Sequence, residues 1–131
     1  MEPIPAHTLV IVADGMKARA FRNQGNKGAI SLHQHEFLQP VDLIDDGPAG
    51  GQPDGNTGYQ TDKATFAKQL AQRLNDGALR QEYDALVLIA DAQTLGEMRP
   101  LLHKEVLQRL HGELAKTLTN SPLEDIERAL S

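Results

Sequence analysis

At 131 residues the chain can enclose one hydrophobic core but not two, and 40% hydrophobic with 24% charged residues excludes a disordered polymer. The formal charge of −5, from 18 acidic against 13 Lys and Arg residues, argues against DNA as a partner, and 4% aromatic content without Trp gives no ladder of stacking platforms for single strands. With no cysteine there is neither a disulfide framework nor a thiolate metal site. The opening Met1-Glu2-Pro3-Ile4-Pro5 has no basic leader and no apolar run approaches a membrane span, so a cytoplasmic, unanchored protein is expected.

Thr8 to Ala13, TLVIVA, is a continuous β-branched and apolar run that predicts a strand covered on both faces. Asp14-Gly15 supplies a turn, Ala18 to Arg22 returns as a second strand, and Ala29 to Leu38 reads as a third after the Gly- and Asn-rich stretch 23–28. From 39 to 61 there are three prolines and five glycines without sustained periodicity, which predicts a long mobile loop. Thr61 or Asp62 then caps a helix whose stripe is Phe66, Ala67, Leu70, Ala71 and Leu74, with a stop expected near Asn75-Asp76-Gly77.

Ala85 to Ala90, ALVLIA, is a second fully buried strand. Leu95 and Met98 open a helical pattern resumed by Leu102, Val106 and Leu110, with Pro100 at a first turn or kink. Leu114 to Leu118 reads as the last strand. Ser121-Pro122-Leu123-Glu124 resembles a capping box ahead of a final helix that buries Leu123, Ile126 and Leu130. The order β-β-β-α-β-α-β-α describes an α/β, ribonuclease H-like domain over 1–131 with a mixed five-stranded sheet. Right-handed crossovers place the strands after the first and second helices on one side of the opening strand.

Val10-Ile11-Val12-Ala13-Asp14-Gly15 with Ala18-Arg19-Ala20-Phe21 resembles the opening of the bacterial host attachment protein family. Phe66-Ala67, Tyr83-Asp84-Ala85-Leu86-Val87-Leu88, Leu95-Gly96, Met98-Arg99, Lys116 and Leu118-Thr119 continue the match in order over nearly the whole chain. Asp91-Ala92 and Thr117 depart from it, where the family usually has prolines and an acidic residue. The resemblance implies the fold of the central domain of eukaryotic and archaeal release factors, and a part in attachment to host cells.

It also gives Gly50-Gly51-Gln52 a meaning, since release-factor domains of this fold carry a Gly-Gly-Gln tripeptide between the third strand and the first helix. Adjacent glycines let the backbone approach an ester closely, while the Gln52 N–H can stabilise the developing oxyanion and its side chain can orient or exclude water. The implied function is an accessory domain of the translation machinery, with the ribosome or peptidyl-tRNA as partner and ester hydrolysis as the chemistry. Asp45, Asp46 and Asp54 flank the tripeptide, and no Lys or Arg lies between Gly28 and Lys63. That composition equally describes an acidic surface loop, so a non-enzymatic module that binds a protein partner is the alternative.

A third reading places Asp14 and Asp91 together at the ends of parallel strands and adds Asp62, a triad able to hold divalent metal for phosphodiester cleavage. Each is equally an ordinary turn, loop or cap residue. His33 and His35 share a strand face and His103 and His111 are eight apart; solvent-facing roles suit both pairs. Lys17, Arg19, Arg22, Lys63, Lys68 and Arg73 could form a modest basic surface or a solvated face. No nucleotide or phosphate-loop fingerprint occurs, and no cofactor or membrane partner is expected.

Overall fold

The computed structural model describes residues 4–25, 29–39 and 63–130, with the backbone alone for 63–65. Strands β1 (Leu9–Ala13), β2 (Ala18–Asn23) and β3 (Leu32–Leu38) form an antiparallel meander. They are followed by helix α1 (Lys63–Leu79), strand β4 (Leu86–Ala90), helix α2 (Ala92–Met98), a 3-10 turn (Arg99–Leu101), helix α3 (Lys104–Arg109), strand β5 (Leu110–Ala115) and helix α4 (Leu123–Leu130). The sheet order is β3-β2-β1-β4-β5, with β4 parallel to both β1 and β5. This is the mixed five-stranded sheet predicted, with both crossover strands on one side of β1.

Strands β1 and β4, which form within the two continuous apolar runs, are buried at every position because the sheet is covered on both faces. Strand alternation divides them. Leu9, Ile11 and Ala13, with Leu86, Leu88 and Ala90, meet the α1 stripe of Phe66, Leu70, Ala71 and Leu74, joined by Leu95, Met98 and Val106. Val10, Val12, Val87 and Ile89 face the other way, where Ile126 and Leu130 of α4 pack with Phe21 and Leu32. At about 25 cal/mol per Å² of apolar area, such two-sided burial is the main force holding the central strands.

Helix α1 does not stop at Asn75-Asp76-Gly77. Asn75 turns its amide outward to the neighbouring connection, donating from Nδ2 to the Leu101 carbonyl at 3.0 Å and accepting the His103 N–H at 2.7 Å. Gly77 lies inside the helix, where an added Cβ would come within 3.2 Å of both the Tyr83 ring and Glu82 Oε1. The glycine permits close packing here and breaks nothing. The helix ends at Leu79 and is closed by Gln81, in the left-handed region at φ 59°, where the Gln81 N–H donates to Ala78 O and the Glu82 N–H to Gly77 O. This is the paired closure of a Schellman end, whose left-handed position favours glycine. Gln81→Gly is expected to raise stability by about 0.5–1 kcal/mol, read as a higher urea midpoint with unchanged slope.

The last strand also differs, running from Leu110 to Ala115 and not from Leu114 to Leu118. Leu110 pairs with Leu86, and the register slips by one residue before Gly112 meets Val87. The exposed edge of β4 recruits the segment directly after α3, overriding a Gly-containing sequence of weak strand propensity. His111 therefore sits on a strand while His103 caps α3 by accepting the Glu105 N–H on Nδ1, so the two do not share a helical face. The third strand begins at Leu32, not Ala29, because Asn23 Oδ1 captures the Ser31 N–H at 3.0 Å.

Candidate functional site

Chain direction brings one edge of the sheet into focus. Ala13 pairs with Ala90 and with Ala18, and Ala18 pairs with Leu38, so β1, β3 and β4 all end at the same edge. Helix α1 finishes at the opposite edge, since the Tyr83 hydroxyl donates to Leu74 O at 2.9 Å and Arg22, opposite Leu9 at the start of β1, donates to Glu82 O at 2.9 Å. Its first turn therefore lies over the edge where β1 and β4 end. The connection 39–62 leaves from and returns to this edge, to which ligands of open α/β sheets are drawn. Gly50, Gly51, Gln52 and Asp62, and the Lys63 side chain, lie outside the described residues.

Asp14 and Asp91 each follow, by one residue, the paired Ala13 and Ala90 at this edge. Asp14 Oδ1 accepts the Met16 and Lys17 N–H groups at 2.7 and 2.9 Å, and Oδ2 accepts the Thr119 hydroxyl at 2.7 Å with Lys17 Nζ 3.7 Å away. Burial by itself would raise the Asp14 pKa, but these donors together hold it below the ordinary carboxylate value. Asp91 caps α2, accepting from Thr94 N at 3.1 Å and Thr94 Oγ1 at 2.8 Å. Both carboxylates are thus engaged by donors of the chain itself. Among the described residues no group of three or more His, Asp or Glu is placed to hold a metal ion.

The basic residues divide by strand alternation. Arg19, two residues before Phe21, shares its face and lies 5.0 Å from that ring centroid. Its NH1 donates to Thr119 O and Ser121 O, and its Nε to Gln34 Oε1. Arg22, three residues from Arg19, is on the opposite face beside Arg73; Arg73 makes a two-pronged pair with Glu36 at 2.7 and 2.9 Å. Lys17 sits in the hairpin turn and Lys68 is exposed on α1. His33 bonds to Ser31 Oγ, while His35 occupies the bulge of β3, both exposed.

Two residues that were not among the site candidates organise this geometry. Thr119 is buried and joins the β5–α4 connection to the β1–β2 turn through Asp14, 105 residues away. Asn23, read only as part of a turn, is wholly buried and uses its whole amide. Distance along the chain hid the first partner. The second carried the weak signal of an Asn ending a strand.

Several residues that carry the resemblance are structural. Leu86, Leu88, Leu95, Met98, Phe66 and Tyr83 are core, Leu118 packs against the second core cluster, and Thr119 is a fastener. The model of bacterial archaeo-eukaryotic release factor family 12 matches residues 7–130. No curated protein matches the chain. Among the described residues no helix is long and apolar enough to cross a membrane.

Proposed function

Because the chain belongs to bacterial archaeo-eukaryotic release factor family 12, we propose that it serves as an accessory domain of the translation machinery, with Gln52 as its working tip. The observation that supports this reading is the tripeptide's place in the chain: Gly50-Gly51-Gln52 falls within the connection between β3 and α1, which starts from the edge where β1, β3 and β4 end. In this reading 1–131 acts as one domain, and peptidyl-tRNA is the substrate. Water attacks the ester carbonyl, the Gln52 N–H stabilises the oxyanion, and the tRNA 3′ oxygen leaves with a proton as the peptide acid is released. Ribosomal RNA and peptidyl-tRNA are the partners, and no cofactor is required.

One observation favours a second reading. The absence of Lys and Arg between Gly28 and Lys63 deprives the loop of the charge that RNA phosphates attract. The same connection would then recognise a protein, as a non-enzymatic module acting in or regulating attachment to host cells. A metal-dependent nuclease gains no such support, since Asp14 and Asp91 already accept hydrogen bonds from Met16, Lys17, Thr119 and Thr94.

Sedimentation with ribosomes over a range of salt separates the readings. Salt-sensitive co-sedimentation is expected, weakened by deleting 48–58, with Gln52→Ala still bound but unable to release peptide from peptidyl-tRNA. Recovery of the chain only in free fractions at every salt concentration would overturn the ribosomal reading.

A further inference from the structure

Between α1 and the β1–β3 half of the sheet lies an open cavity of about 60 Å³. Its floor is Leu9, Ile11, Ala20 and Leu38, and Leu70 and Leu74 of α1 form one wall. The space exists because Ala20 is small and because the bulge at His35 sends both His35 and Glu36 to the rim. It suits an aliphatic group of about three or four carbons and is too small for a base or sugar.

Of the two arginines and two glutamates at the rim, Arg73 and Glu36 pair with each other. Glu82 lies 3.9 Å from Arg80, so both rim carboxylates already face a guanidinium. Arg22, half-buried beside the apolar floor, directs NH1 to His7 O and NH2 to Glu82 O, and has no carboxylate within ion-pair reach among the described residues. Those two carbonyls fix the plane of the guanidinium. A guanidinium without a carboxylate partner among the described residues, next to an unfilled apolar floor, is complementary to a short hydrocarbon bearing a carboxylate.

We propose that this cavity binds a carboxylate carried on a short branched aliphatic group, with Arg22 taking the carboxylate and the Leu9, Ile11, Ala20 and Leu38 floor taking the hydrocarbon. The site is separate from the edge that bears the Gly-Gly-Gln connection and does not depend on Gln52. The same chemistry is presented by a free branched acid and by the C-terminus of a peptide ending in Leu or Val.

The test is a 1H–15N titration of the full chain with 3-methylbutanoate, its neutral amide 3-methylbutanamide, and a short peptide ending in Leu with a free or an amidated terminus. Saturable shifts are expected at the amides of Ala20, Arg22, Leu74 and Tyr83, with a Kd of about millimolar for the small acid. Removing the ligand's charge should weaken binding about tenfold or more, as should Arg22→Gln, and Ala20→Leu should fill the floor. A peptide that binds more tightly than the acid identifies a chain terminus as the source, and the reverse order identifies a metabolite-sized acid. The proposal is overturned if neither carboxylate moves these amides, or if the neutral amide binds as well as the acid. That second comparison uses the unaltered chain and stands even if the variants fail to fold.

Discussion

Asn23→Ala is expected to lower the unfolding free energy by about 3 kcal/mol in urea denaturation at neutral pH, a large effect for a single polar side chain. The residue is wholly buried, so its polar atoms rely on partners within the chain. Its Oδ1 accepts the Gly25 and Ser31 N–H groups, each at 3.0 Å, and its Nδ2 donates to the carbonyls of Ile4 at 3.3 Å and Pro5 at 3.1 Å. Its backbone is engaged as well, with the N–H on Thr8 O and the carbonyl receiving the His7 N–H. One amide thereby ties the segment entering β1, the end of β2 and the approach to β3. Truncation leaves donors and acceptors of three segments without partners at once. Asn23→Asp separates the contributions, because the carboxylate keeps the two acceptor bonds, loses both donor bonds and buries a charge. Asn23→Asp is therefore expected to be at least as damaging at neutral pH and to recover part of its stability in acid. A loss below about 1 kcal/mol for Asn23→Ala would show that the network is replaceable.

Alkaline unfolding should depend on Tyr83. Burial raises its phenol from the ordinary value of 10.0 to about 12, with Glu82 adding to the rise and the Arg109 charge opposing it. The folded chain thus holds the phenol proton more firmly than the unfolded chain does. The resulting stabilisation is complete below pH 10 and is lost as the pH climbs through the interval to about 12. A displacement of this size corresponds to roughly 2–3 kcal/mol between the two ends of that interval. Tyr83→Phe isolates it. At neutral pH the variant should be about 1 kcal/mol less stable, because the hydroxyl that donates to Leu74 O at 2.9 Å is gone. Above pH 10 the native chain loses stability faster than the variant, and the two curves of stability against pH should cross. Parallel curves up to pH 12 would show that the phenol is not held in its neutral form by the fold.

The hydrophobic pattern carried most of the architecture. TLVIVA and ALVLIA each lack a polar alternation, which can be stable only in strands covered on both sides, and the layered sheet follows from that alone. Arg19 and Arg22, grouped from the sequence in one basic surface, lie on opposite faces of the sheet, since residues three apart on a strand point to opposite faces. Where the pattern misled, local signals met tertiary demands. Asn75 and Gly77 read as a helix stop when taken alone, yet in the fold they serve contacts with Leu101, His103 and Tyr83. Leu110 to Ala115 became a strand because β4 offered a free edge.

Sequence by itself determined the order of elements, the two-sided burial of β1 and β4, and the position of Gly50-Gly51-Gln52 between β3 and α1, since these depend on residue types and spacings close together in the chain. Folding settled which distant groups meet. Thr119 reaches Asp14, Asn23 gathers three segments, and Arg22 comes to an apolar cavity without a carboxylate partner among the described residues. No local propensity encodes such meetings, because each partner is chosen by sheet register and helix placement, and those are fixed only when the whole core is packed.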